Sequence, residues 1–207
     1  MIAAEEALLR LQEGNARFVS GEIASGPEHY RYRREQIVLD QEPFAIVVGC
    51  SDSRVPVEIV FDQGLGDLFV IRIAGNVISR TQLGSIEFSA MKHGARLVVV
   101  LGHTGCGAMK AAVAAVEAGA EPESDNLRVL VDQIRPAVAR AGEFDCGCAS
   151  GELVDRVGRE NVRQAVEAIK DSSDIIRQLV EEDGLVITGA EYSLATGAVE
   201  FFDGDSA

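Results

Sequence analysis

The chain has no tryptophan, only four cysteines, three histidines and five prolines among its 207 residues. Basic residues are outnumbered, 19 Lys and Arg against 33 Asp and Glu, for a formal net charge of −14. That balance excludes a phosphate-tracking nucleic-acid binder, which needs clustered Lys and Arg. No stretch approaches the roughly 20 apolar residues that span a bilayer. The opening Met-Ile-Ala-Ala-Glu-Glu-Ala has neither a basic segment nor an apolar run, so no secretory signal is read there. A cytoplasmic location is expected. Four cysteines in a reducing compartment point to ligands, catalysts or bystanders rather than disulfides.

What is present is an ordinary globular composition, 47% hydrophobic and 25% charged. One domain over 1–207 is expected. Residues 4–20 carry a helical stripe of Leu8, Leu11 and Phe18 closed by Gly21; from Gly21 to about Gln41 the pattern weakens. Residues 1–40 are therefore read as an N-terminal helical arm and 41–207 as an α/β core. Phe44–Gly49, Leu68–Ile73, Leu97–Leu101 and Leu185–Thr188 are short apolar runs suited to strands buried on both faces. Helical patterns cover Thr81–Lys92, Gly107–Glu117, Asp125–Ile134, Glu152–Lys170 and Asp174–Glu182. Pro136 is expected to bend or end the third, and Ala141–Gly151 reads as a loop. Alternating strands and helices predict a mainly parallel four-stranded sheet flanked by helices. Ala198–Phe202, after a Thr196-Gly197 turn, is expected as an antiparallel edge strand.

Two segments carry chemistry. Cys50-Ser51-Asp52-Ser53-Arg54 follows the first apolar run, and His103-Thr104-Gly105-Cys106-Gly107 follows the third. Both sit at carboxyl ends of buried parallel strands, where open α/β sheets place ligands. Two thiolates and an imidazole favour tetrahedral Zn²⁺, and three protein ligands leave one position open, as catalytic sites require. Asp52 and Arg54 can form a bidentate pair that keeps the carboxylate ionised. Such an Asp could orient a metal-activated water, or could instead occupy the open position. Buried thiols with a core histidine, and a surface Asp–Arg pair, are the bland alternatives. Cys146-Gly-Cys148 lacks the usual Cys-x-x-Cys spacing and reads as an inert or weakly redox-active loop. His29 and His93 are expected to be solvated. Arg72, inside an apolar run, needs a partner, and a pairing at a subunit interface is as plausible as a functional role.

Cys-Ser-Asp-Ser-Arg-Val-Pro at 50–56 and Gly-His-Thr-Gly-Cys-Gly at 102–107 resemble the two signature motifs of the β-class carbonic anhydrases. Residues 14–21, 66–72, 74–76 and 195–201 also resemble that family, and only about 120–160 is poorly specified. The resemblance implies one zinc per chain on Cys50, His103 and Cys106, an Asp52–Arg54 dyad, and reversible hydration of carbon dioxide to bicarbonate and a proton, the reaction of a zinc lyase. It implies that Gln41 donates a hydrogen bond to substrate and that Phe69 forms an apolar wall. Phe88 stands where many members carry Tyr. Val47 stands where the bicarbonate-inhibited subtype carries Trp, so no such regulatory site is expected. A homodimer or homotetramer is implied, with Gln41 and Phe88 of one chain facing the other chain's zinc and the N-terminal helix laid on the partner. Hydrolysis of carbonyl sulfide or carbon disulfide on the same site, and a non-catalytic zinc-binding module, are the rival readings.

Overall fold

The computed structural model describes residues 2–24, 26–119, 121–142 and 150–202. Five strands form one sheet in the order β2-β1-β3-β4-β5. They are β1 (Ala45–Cys50), β2 (Leu68–Ile73), β3 (Leu97–His103), β4 (Val186–Tyr192) and β5 (Val199–Phe202). The first four are parallel and β5 pairs antiparallel with β4. The α/β class, the parallel sheet and the C-terminal edge strand thus match the sequence expectation. Central strands β1 and β3 are buried at every position, which is why their sequences run apolar without alternation.

The helices are α1 (Ala4–Ser20), α2 (Pro27–Gln36), α3 (Val57–Val60), α4 (Arg80–Lys92), α5 (Gly107–Ala118), α6 (Asp125–Gly142), α7 (Ser150–Asp171) and α8 (Asp174–Glu182). Their starts follow local chemistry. Ser79 and Gln82 form a capping box on α4, and the Ser173 hydroxyl accepts the Ile176 N–H on α8. Among the described residues no helix is long and apolar enough to cross a membrane.

Three buried clusters hold these layers together. On one sheet face Ala7 and Leu11 of α1 meet Val57 and Val60 of α3 over Val47, Val99 and Leu101. The buried apolar positions of α1, Ala4, Ala7 and Leu11, thus pack on the chain's own core. On the other face α4, α7 and α8 cover Ile46, Val48, Val98 and Val100. The third cluster joins α5, α6 and the start of α7 beyond the carboxyl ends of the strands, and includes Cys50 and Cys106.

Several boundaries differ from expectation. Helix α2 forms in a segment with no apolar period. Helix α6 runs through Pro136 to Gly142, and Ser150 already belongs to α7, so only 143–149 of the expected loop remains, outside the described residues. An interior proline costs about 3 kcal/mol. Val131, Ile134, Ala137, Val138 and Ala141 are all buried on one stripe of α6. At roughly 1.5–3 kcal/mol for each fully buried valine or isoleucine, that packing outweighs the proline.

Candidate metal centre

Strands β1 and β3 are adjacent, with Gly49 beside Leu101, so their last residues, Cys50 and His103, end side by side. Both close the strands rather than follow them. After β3 the chain turns through Gly105, which has φ +64°, and reaches Cys106 at the N-cap of α5. One sulfur from each of Cys50 and Cys106 and one nitrogen of His103 lie within 4.8 Å of one another, all three residues buried. The two sulfurs are 4.0 Å apart. Two thiolates on tetrahedral zinc, each at about 2.3 Å, stand about 3.8 Å apart.

The imidazole is oriented by its own turn. His103 Nδ1 lies 3.0 Å from the Thr104 carbonyl oxygen and donates to it. That leaves Nε2 as the lone-pair nitrogen, the arrangement of a metal-bound histidine with an oriented second nitrogen. His103 Nε2 is buried and has no hydrogen-bond partner among the described residues. An orphaned buried acceptor facing two thiols is what a zinc ion would satisfy.

The charges are poised for a cation. The Cys50 thiol is pulled down to about 4, chiefly by the hydrogen bond from Cys106, with burial opposing and His103 and the Gly75 N–H assisting. The Cys106 thiol is pushed up by that same bond and by burial. Of the two thiols, Cys50 is therefore the one more readily ionised. Burial draws the His103 value down, but the Cys50 sulfur and the Asp52 carboxylate together raise it.

Asp52 lies beside this cluster, with Oδ2 3.8 Å from His103 Nε2. Arg54 donates Nε to Oδ1 at 2.9 Å, Nη2 to Oδ2 at 2.7 Å and its backbone N–H to Oδ1 at 3.0 Å. This grip holds the Asp52 carboxyl well below the usual carboxylate range, and Asp52 in turn raises Arg54. The Asp52–Arg54 pair read from the sequence is therefore formed, and at the metal-ligand cluster.

Residues around this centre were harder to read from the sequence. Arg72 donates Nε to the Cys50 carbonyl at 3.1 Å and Nη2 to the Asp52 carbonyl at 2.7 Å. Within the chain its partners are the backbone carbonyls of the Cys50–Asp52 segment. The Gly75 N–H points at Cys50 Sγ, 3.4 Å away. Asp155 and Asn161, from α7, hold Gly105 and Gly75. Neither belongs to a local motif, and no spacing signal ties them to the site.

Gln41, Phe69 and Phe88 lie elsewhere in the chain. Phe69 is level with Ile46 of β1, four residues and about 13 Å along the strand from Cys50. Phe88 is half-exposed with its ring 6.2 Å from that of Phe69. His93, expected in solvent, is instead packed 5.9 Å from Phe69 and 5.6 Å edge-on to Phe88. Gln41 lines a cavity of about 360 Å³ that His93 and Lys92 share. The single chain therefore groups these three residues around His93 and does not bring them to Cys50. Cys146, Cys148 and the side chain of His29 lie outside the described residues.

A family model described as Carbonic anhydrase matches residues 45–199. The carbonic anhydrase of Mycolicibacterium smegmatis is 40% identical over 190 residues, covering 92% of this chain and 89% of that one. Carbonic anhydrase 2 of Mycobacterium tuberculosis is 39% identical over 188 residues, covering 90% and 87%. Among solved structures, the β-carbonic anhydrase CafA of Aspergillus fumigatus superposes with a TM-score of 0.76 over 98% of this chain and 92% of that one, at 23% identity, a likeness of fold. A tetrameric β-carbonic anhydrase from Sordaria macrospora superposes with a TM-score of 0.73 at 23% identity, covering 96% and 97%. Matched by the family model over most of its length and 40% identical to a curated relative over 92% of its residues, the chain belongs to the β-carbonic anhydrase family, whose general reaction is the hydration of carbon dioxide.

Proposed function

We propose that the protein binds one zinc on Cys50, His103 and Cys106 and catalyses the reversible hydration of carbon dioxide. The observation that carries this reading is the convergence of three buried donor atoms within 4.8 Å, one of them a nitrogen with no other partner. When bound, zinc supplies Lewis acidity that makes water nucleophilic near neutral pH. The chain's own part is to hold charge and orientation. Asp52, kept ionised by Arg54, stands as an acceptor beside the ligand nitrogen and orients the attacking water through its proton. Arg72 fixes the backbone on which Cys50 and Asp52 sit.

The apolar pocket is completed by a second copy. In a homodimer, Gln41 of one chain donates its amide to substrate at the other chain's metal, and Phe69 and Phe88 exclude water there. The grouping of these residues away from their own Cys50 supports this arrangement. The tetrameric relative from Sordaria macrospora supports an oligomer of two or four chains.

Metal analysis with stopped-flow hydration assays on wild type and Asp52→Asn tests the reading. About one zinc per chain is expected in both, with a rate loss of about 10²-fold or more in the variant. A variant as fast as wild type would remove Asp52 from the chemistry. Faster turnover of carbonyl sulfide or carbon disulfide than of carbon dioxide would reassign the substrate. A zinc-loaded protein inactive at every pH up to about 9 would leave only a binding module.

A further inference from the structure

Helix α7 carries two side chains that reach the two halves of the metal centre. Asp155 Oδ1 accepts the Gly105 N–H at 2.7 Å, and Gly105 is the left-handed residue between the ligands His103 and Cys106. Six residues further on, Asn161 is 2% exposed and donates Nδ2 to the Gly75 carbonyl at 2.8 Å. Gly75, with φ +71°, directs its own N–H at Cys50 Sγ.

Helix α7 has other anchors as well. The helix buries Val154, Val157, Val162, Ala165, Val166 and Ile169 against the sheet and α6. Arg156 Nη2 reaches the Ala141 carbonyl at 2.6 Å, and Gln164 Nε2 reaches the Gln133 carbonyl at 2.6 Å. The helix is thus fixed by packing and by α6, while its two polar side chains are directed at glycines whose turns hold the ligands.

We propose that α7 is the positioning element of the metal centre, with Asp155 holding the His103–Cys106 turn and Asn161 holding the Gly75 N–H on Cys50 Sγ. The inference rests on reading Cys50, His103 and Cys106 as zinc ligands. Its physical content is that a glycine turn is soft. Without an external acceptor on Gly105 the donor atoms of His103 and Cys106 explore separations too large for one ion. Without Asn161 the thiolate of Cys50 loses a fixed N–H···S bond. Outer partners of this kind change metal affinity by about 10–100-fold.

Zinc transfer from the loaded protein to a chromophoric chelator, and the visible spectrum of the cobalt-substituted protein, test this without reference to turnover. Asp155→Leu removes the acceptor, and Asp155→Asn keeps a side-chain oxygen in its place. Transfer is expected about tenfold faster in Asp155→Leu and within about twofold of wild type in Asp155→Asn. Asn161→Ala is expected to shift the thiolate-to-cobalt charge-transfer band. Equal transfer rates in wild type and Asp155→Leu overturn the proposal for Asp155, as does equal acceleration in the Leu and Asn variants. An unchanged cobalt spectrum in Asn161→Ala overturns it for Asn161. If Asp155→Leu does not fold, Asp155→Ala gives the same decision against Asp155→Asn; if Asn161→Ala does not fold, Asn161→Ser is read in its place. Wild type that takes up no zinc overturns the metal reading itself, whereas zinc-loaded wild type with unaffected variants overturns only the role of α7.

Discussion

The Arg72 guanidinium lies 2.7 Å from the Asp52 carbonyl oxygen and, through Nε, 3.1 Å from that of Cys50. One cation from β2 therefore ties down the backbone of Cys50, a candidate metal ligand, and of Asp52 beside it. Arg72→Leu is expected to keep the fold and lose about 1–2 kcal/mol of stability, the scale of one or two partly exposed charge-assisted hydrogen bonds. The hydration rate should fall about tenfold through misplacement of Asp52. Urea unfolding and stopped-flow assays check the two effects separately; unchanged rate with lowered stability would confine Arg72 to the fold.

Removing a metal ligand should act differently from removing an anchor. Cys50→Ser replaces a soft thiolate by a poor zinc ligand in a buried site. Zinc content is expected to drop from about one per chain to near zero after dialysis against a chelator, with hydration activity lost. The wild type treated with a stronger chelator should lose activity in step with metal and recover on zinc addition. Metal analysis alongside the rate assay reads both.

Gly14 sits inside α1, where alanine would raise helix propensity by about 1 kcal/mol. A Cβ there would lie 1.9 Å from the Phe61 carbonyl oxygen, a backbone atom that has no room to yield. Overpacking of this kind costs about 1–3 kcal/mol or more, so the steric term wins. Gly14→Ala is expected to destabilise by at least about 1–2 kcal/mol, seen as a lower urea midpoint with an unchanged slope.

Arg159 bridges Glu191 of β4 at 3.0 Å and Glu200 of β5. Burial raises the Glu191 carboxyl and Arg159 opposes that rise, while the hydrogen bond from Arg159 lowers Glu200. In Arg159→Gln, Glu191 rises further, so its contribution to stability is lost progressively as pH climbs through its folded value. Glu200 loses a stabilisation that in wild type is present above the ordinary carboxylate value of about 4.3. The rise of Glu191 makes the variant's deficit larger at pH 8 than at pH 5, by about 1 kcal/mol after solvent screening, whereas the loss at Glu200 is nearly the same at both pH values. Denaturant titrations at the two pH values measure the difference; an equal deficit would show that Glu191 does not sense Arg159.

Much of this was legible in the chain itself. The apolar runs of β1 and β3, short, rich in valine and isoleucine and closed by glycine, read as buried strands, and the strands they form end at Cys50 and His103. Helix α2 was not legible because Pro-Glu-His-Tyr-Arg-Tyr-Arg-Arg-Glu-Gln has no apolar stripe to mark a period. The run of α6 through Pro136 is not legible in the sequence because the local penalty of a proline is visible there, whereas the packing that outweighs it is not.

The sequence by itself determined the donor set, the Asp52–Arg54 pair and the alternation that makes a parallel sheet, because ligand chemistry and hydrophobic period are properties of neighbouring residues. Tertiary structure alone decided that Arg72 serves the Cys50 loop, that Asp155 and Asn161 reach the turns at Gly105 and Gly75, and that His93 packs against Phe69. Those contacts join residues about 20 to 90 positions apart, and no local propensity specifies which distant backbone groups a folded sheet and its helices bring within hydrogen-bond reach.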